Sequence, residues 1–306
     1  MAWVALTIAA AVAVGFEAER HAGARATALA RAILRAMLFV LAPFAAFFNI
    51  ADLHLTADVR GGIVAGWIAL LAAAAVGWAL GRFVLRLPAP SNGVLINSGL
   101  QANTGYLGVP LCAAVLGVDH LSHAVAYDTL VQLPVFLVGA FAVAAATGTK
   151  AGETRGERAR SFITRNPPLL ATIAGLLAPD ALAPDVLVDV ARVVVFAMLP
   201  LGFFAVGVTL AAEAEEGASR FPPPLTRPIA AALVLRLVVA PGLLLAISAP
   251  FIDLPAPFLI LAAMPAGLNS ITLAHTYGLD VRFAAGAIAW STTVAISAGL
   301  LIVAVV

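Results

Sequence analysis

Charge is what this sequence has least of. Only 11% of its 306 residues are Asp, Glu, Lys or Arg, 62% are hydrophobic, and the mean hydropathy is +1.04. A soluble domain is typically about one quarter charged and about half apolar. A water-soluble fold could not hide this much apolar surface, so lipid must cover the excess. The net charge of +1 excludes a strongly basic or acidic surface and, with it, nucleic acid as a partner. Cysteine is limited to Cys112, which excludes an internal disulfide and a cysteine-based metal cluster and leaves the compartment open. Catalytic motifs are missing too: no His-Glu-x-x-His, no Gly-x-Ser-x-Gly, no Walker glycine loop and no paired acids at helical spacing in an apolar run. These absences argue against a membrane enzyme and against an ATP-driven machine, and no resident cofactor or metal is expected. A sensor would need an input or output module, which the sequence lacks. A channel would need a repeated filter or a charged ring, and neither is evident.

Long apolar runs are what the chain does have. A spanning helix needs roughly 20 mainly apolar residues. Segments 61–80, 94–118, 129–149, 193–212 and 283–306 meet that test without a charge; 28–50, 229–249 and 255–277 meet it with one or two ionisable side chains. Residues 1–16 and 167–179 are short candidates. The first is read as a span, because no basic stretch precedes it and Glu17-Ala-Glu19-Arg20 makes a poor signal-cleavage site. The fold class expected is therefore all-α, with ten transmembrane helices.

Basic residues set the orientation. With the N-terminus outside, all of the 17 Lys and Arg fall inside or at the inner boundary except Arg60, Arg192 and Arg236, while Asp52, Asp58, Asp119, Asp180, Asp185 and Asp253 lie in outer loops. The expected location is the cell's inner (plasma) membrane, multi-pass, N-out and C-out. The polar loop over 149–165 divides the chain into halves, 1–148 and 166–306, of five spans each. Five is odd, so two like-folded halves would sit inverted. Each half opens on a short span, continues with a proline-bearing one (Leu41-Ala-Pro-Phe44 and Leu199-Pro-Leu-Gly202) and has a broken fourth span. Inverted repeats with interrupted helices are a transporter signature.

The first break lies in Asn97-Ser-Gly-Leu-Gln101-Ala-Asn103-Thr104-Gly105-Tyr-Leu-Gly108-Val-Pro110, and the second in Met264-Pro265-Ala-Gly267-Leu-Asn269-Ser270-Ile-Thr272. Proline removes a backbone donor and clashes with the preceding turn. Backbone groups freed in this way must face protein, water or an ion. Each break also leaves a half-helix whose N-terminal N–H groups favour an anion. Two such ends meeting at the midplane would hold a carboxylate without a lysine. The amides of Asn97, Gln101, Asn103 and Asn269 either face such a ligand or bond between packed helices; Asn97 and Gln101 also suit Na⁺.

Ionisable side chains within spans are functional candidates by default. Asp128, at or just inside the start of the fifth span with His123 five residues before it, is a candidate for a coupled proton. Arg236, in the eighth span, either holds a substrate carboxylate or pairs a nearby acid. Arg31 and Arg35 read as topology anchors and His275 as a boundary residue.

At these residues the sequence resembles the auxin efflux carrier family, which includes plant auxin exporters and bacterial malonate-type carriers. The matching elements are Gln101-Ala-Asn103-Thr104-Gly105-Tyr-Leu-Gly108-Val-Pro110, Asn166-Pro167, Pro200-Leu-Gly202 with Gly207, Arg236 before Pro241-Gly242, and Met264-Pro265-Ala-Gly267 through His275-Thr-Tyr277-Gly. The 18 residues from Gly148 to Arg165 are similar to the short bacterial type rather than to the long-loop plant carriers. The resemblance implies a fold like that of the bile-acid/sodium symporters, with fourth and ninth helices crossing near their prolines. It implies a substrate site lined by Asn103, Thr104, Gly105, Pro110, Pro265, Gly267, Asn269 and Ser270, with Arg236 as a further candidate. The function it implies is secondary transport of a small organic anion, with H⁺ or Na⁺ coupling or facilitated flow. Membrane lipid surrounds such a carrier, and a homodimer is the arrangement suggested by analogy. The alternatives are a Na⁺-coupled bile-acid-type symporter and a non-transporting membrane sensor.

Overall fold

Every regular element among the described residues is helical. The computed structural model describes residues 2–53, 56–150, 167–215 and 223–305. The expected loop over 149–165, apart from Thr149 and Lys150, lies outside the described residues, as do Asn166, Arg155, Arg158, Arg160, Arg165 and Arg220. Five helical runs are long and apolar enough to cross a membrane: Ala24–Ala51, Ala57–Val84, Asp185–Thr209, Arg227–Ser248 and Val281–Ala298. Beside them stand Ala2–Ala22 and a set of shorter or interrupted apolar helices. The latter include Pro167–Leu177, Ala89–Leu100, Val109–Leu116, Ala256–Ala262 and Asn269–Tyr277.

Several boundaries differ from those expected. The first helix continues past the apolar stretch to Ala22, because its charges find local partners. Arg20 Nη1 lies 3.2 Å from Glu17 Oε1, and Thr27 donates to the Glu19 carboxylate at 2.9 Å. The span expected over 129–149 begins at Leu121, not at 129. Ser122 and His123 lower the local hydropathy, yet Leu121, Ala124, Val125 and Ala126 are buried. Asp128 is therefore two turns inside the helix. The Asp185–Glu215 helix runs through Pro200 without a break.

Four other prolines are accommodated by one device. Wide i→i+5 turns end at Leu41, Gly108, Gln132 and Val239, and Pro43, Pro110, Pro134 and Pro241 each stand two residues later. A proline lacks its N–H and crowds the carbonyl four residues back. A widened turn displaces that carbonyl and keeps the helix going.

Outside and inside are reversed relative to a soluble protein. Leu71, Phe83, Val138 and Val193 are exposed, while Asn92, Asn97, Ser98, Gln101, Gln132 and Arg236 are buried. In lipid, polar groups are stable only where protein or water meets them. The extreme case is Ala89–Leu100, in which every residue from Ser91 to Leu100 is buried.

The helices pack as two groups. Ala2–Ala22, Ala24–Ala51, Pro167–Leu177 and Asp185–Glu215 pack on one another; the second group holds 57–116, 121–147, 227–248, 256–277 and 281–305. In the first group small residues bring backbones together, as at Gly175, where an added Cβ would lie 2.6 Å from the Phe47 carbonyl oxygen. Arg192 ties two helix ends that the charge pattern puts on the same side. It reaches Asp52 at 3.0 Å and Asp189 at 3.3 Å.

Candidate functional site

Two interruptions face each other where the chain crosses itself. The first covers Gln101–Asn103, between Ala89–Leu100 and the wide turn Thr104–Gly108; the second covers 263–268, between Ala256–Ala262 and Asn269–Tyr277. Ala102 and Ala266 pair as an isolated antiparallel bridge. Asn103 N–H donates to the Pro265 carbonyl at 2.8 Å, and Gly267 N–H to that of Gln101 at 3.4 Å. A Cβ on Gly267 would lie 3.2 Å from the Ala102 carbonyl oxygen, so glycine is what permits this approach. Pro265 stands in the crossing. Pro110 does not; it opens the next helix seven residues beyond Asn103 and borders the cavity instead.

Backbone groups left over by the breaks are met from other helices, as burial requires. Gln132 Nε2 donates to the Leu100 carbonyl at 2.7 Å, and Ala266 N–H donates to Ser291 Oγ at 3.1 Å. Arg236 donates to the carbonyl of Gly99 at 3.2 Å and to that of Ala262. It thus ties together the C-terminal ends of both half-helices, where the helix dipoles are negative. Its side chain is completely buried and does not border the cavity. The sequence suggests that it faces a substrate carboxylate or pairs an acid; in the structure Nη1 and Nη2 make this tie instead, and Nε is buried without a partner.

Beside the crossing lies a cavity of about 350 Å³, lined mostly by apolar surface. From the first break it is bordered by Gln101, Asn103, Thr104, Gly105, Tyr106 and Pro110, and from the second by Gly267 and Asn269. Asp128, Thr129 and Gln132 come from 121–147, Ala42, Ala45 and Ala46 from Ala24–Ala51, and Val195 and Met198 from Asp185–Glu215. The cavity therefore sits between the two helix groups. Asn269, Thr272 and Thr276 are exposed along one face of the last half-helix, which gives the cavity a polar, solvent-reached side.

Of the residues singled out in the sequence, Asn97, Pro265, Ser270 and Arg236 do not line this space. Asn97 instead donates to the Ala140 carbonyl at 3.4 Å, as an interhelical contact. The Ser270 hydroxyl donates to Gln101 Oε1 at 3.0 Å and so links the two breaks. The Gln101 Nε2 group is buried without a partner. Thr104 Oγ1 donates to Asp128 Oδ1, and Gly105 leaves room for that carboxylate: an added Cβ would lie 3.2 Å from Oδ2. Tyr106, Thr129, Gln132, Thr272 and Thr276 were not anticipated. An amide at Gln132 in an otherwise apolar run, and two threonines at i,i+4 spacing, were the signals available. Among the described residues no group of His, Cys, Asp and Glu is placed to hold a metal ion.

Comparison with known proteins bears on what such a cavity serves. Residues 162–303 match the model of a family described as membrane transport protein. The match covers the second half of the chain and supports the family anticipated from its motifs. It indicates a transporter, not an enzyme, and with the several apolar helices it points to a multi-pass membrane protein. No curated protein matches the chain.

Proposed function

We propose that the chain is a secondary carrier that moves a small carboxylate across the cell's plasma membrane by alternating access. The observation that carries the reading is the antiparallel meeting of Ala102 and Ala266 beside a cavity bordered by amides from both breaks. A cavity of about 350 Å³ lies at the small end of the range for small-molecule sites, about 300–1,000 Å³. Two half-helices begin at this cavity, at Thr104 and at Asn269, and their N–H ends favour negative charge. The buried, unpartnered Nε2 of Gln101 supplies a donor at the same place.

Ten spans in two inverted repeats, 1–148 and 166–306, account for how the helices divide. The first two runs of each half, 2–51 and 167–215, form one group, and the last three of each half form the other. A cavity between the groups suits an elevator-like movement of the crossing-bearing group against its neighbour. In an N-out, C-out orientation the exposed face of Asn269–Tyr277 opens the cavity to the inside.

Liposomes containing purified protein and loaded with unlabelled malonate, succinate, acetate or benzoate test the reading by counterflow. Saturable exchange of a labelled carboxylate is expected, with Asn103→Ala and Asn269→Ala each lowering it at least tenfold. Normal exchange by both variants would remove the site assignment. Sodium coupling is the second reading, favoured by the buried oxygens Asn97 Oδ1 and Gln132 Oε1, which have no donor. Replacing Na⁺ with K⁺ distinguishes it.

A further inference from the structure

We infer that Asp128 binds a proton together with each substrate anion, so that a monocarboxylate crosses as a neutral load and a dicarboxylate with one negative charge fewer; this rests on the carboxylate reading above. The Thr104 end of the half-helix, which the sequence suggests as an anion site, already has an anionic side chain. Asp128 accepts the Thr104 hydroxyl there and lies over Gly105. No cationic side chain borders the cavity. A substrate carboxylate at the Asn269 end would share this small space with a second negative charge. At a separation of about 7 Å and an effective dielectric constant of about 20, that repulsion weakens binding by roughly 50-fold. Protonation of Asp128 removes the penalty and keeps the Thr104 contact through its remaining acceptor capacity.

The surroundings leave Asp128 as the group that can do this. Its helix segment, Tyr127–Gln132, packs against Ala57–Ala79, Leu121–Ala126, Thr104–Gly108, Val135–Ala140, Pro167–Leu177 and Ala256–Ala262. The ionisable side chains on those elements are Asp58, Arg60, His123 and Tyr106. Asp58 and Arg60 stand two turns or more from Trp67, which donates to the Leu130 carbonyl at the level of Asp128. His123 is outside the cavity lining, and Tyr106 is inside it as a neutral phenol. The neighbouring Tyr127 is buried against the Phe258 ring, with centroids 5.2 Å apart, and does not border the cavity. In the step itself a proton from solvent adds to a carboxylate oxygen of Asp128 as the anion enters. It returns to solvent on the other side as the anion leaves, and no bond of the substrate changes.

The test uses labelled malonate and benzoate with the full-length protein in liposomes, between pH 6.5 and 8.5, with a trapped pH-sensitive dye. In the unaltered protein the half-saturating concentration should rise toward tenfold per pH unit at the alkaline end, with one proton moving per substrate molecule in net uptake. Asp128→Asn should exchange both acids with no pH slope and no proton movement, while Asp128→Glu should keep a pH slope. A slope or proton flux that survives Asp128→Asn would overturn the assignment, as would exchange that depends on Na⁺ and ignores pH. Absence of flux of either acid in the unaltered protein would instead overturn the carboxylate reading, and this inference with it.

Discussion

The two breaks in this molecule have the same topology and different surroundings. The first is three residues long and follows a half-helix buried on every side from Ser91 to Leu100. The second is six residues long and leads into a half-helix with Asn269, Thr272 and Thr276 exposed. Their carbonyl ends are treated alike, both bonded to Arg236. Their N–H ends are not: Asp128 closes the Thr104 end, whereas the Asn269 end borders the cavity. The difference assigns unequal tasks to two halves of one device. One break is anchored and carries the acid, and the other offers the face that meets a ligand from solvent.

The largest effect should come from the contact that makes the breaks alike. Arg236→Met leaves the Gly99 and Ala262 carbonyls without their donor in a buried site. An unmet buried partner costs about 1–3 kcal/mol, so a loss of roughly 3 kcal/mol is expected for the two. Thermal unfolding in detergent should have its midpoint lowered by several degrees, and Arg236→Lys should fall between. A variant as stable as the parent would break the idea that one side chain ties both helix ends.

How far the sequence reveals this depends on whether a feature has a residue signature. The breaks are legible because Gly99, Gly105, Gly108 and Pro110, and Pro265 and Gly267, interrupt apolar runs with amides between them. For the same reason Gln101, Asn103, Thr104 and Asn269 are legible in the cavity's polar lining, whereas Tyr106, Thr129, Gln132, Thr272 and Thr276 are not. The role of Arg236 was not, since its partners are backbone carbonyls 137 and 26 residues away and any residue type can supply those. The depth of Asp128 was also hidden. Hydropathy places a span's start after its polar residues, but Ser122 and His123 sit on a helix that packing buries. The path of Asp185–Glu215 through Pro200 could not be told from a break without knowing its neighbours. Gly202 on that helix lies against the wide turn Thr104–Gly108, where an added Cβ would come within 2.8 Å of the Tyr106 carbonyl oxygen.

A smaller effect separates the breaks by what their glycines touch. Gly267 abuts backbone, the Ala102 carbonyl, whereas Gly105 abuts the Asp128 side chain, each with an added Cβ at 3.2 Å. Backbone at a crossing has little room to move, while a side chain can turn. Gly267→Ala should therefore cost about 1 kcal/mol through overpacking, and Gly105→Ala less than half of that. Unfolding midpoints check the order, and equal losses would mean that the Asp128 carboxylate is held as firmly as the crossing itself.

The smallest effect compares the two single hydrogen bonds that complete each break. Gln132→Met removes the donor to the Leu100 carbonyl, and Ser291→Ala removes the acceptor for the Ala266 N–H. Interhelical side-chain hydrogen bonds in membrane proteins average about 0.6 kcal/mol, so each variant should lose roughly that much, close to the resolution of an unfolding midpoint. Hydrogen exchange reads the change locally. A carbonyl has no exchanging proton, so Gln132→Met should act only indirectly, through looser packing of 96–103. Ser291→Ala frees the Ala266 amide itself, and exchange over 262–268 should quicken about threefold, the factor that 0.6 kcal/mol implies when opening and closing are fast relative to exchange. A change confined to 96–103 in both variants would contradict the pairing of Ser291 with the second break.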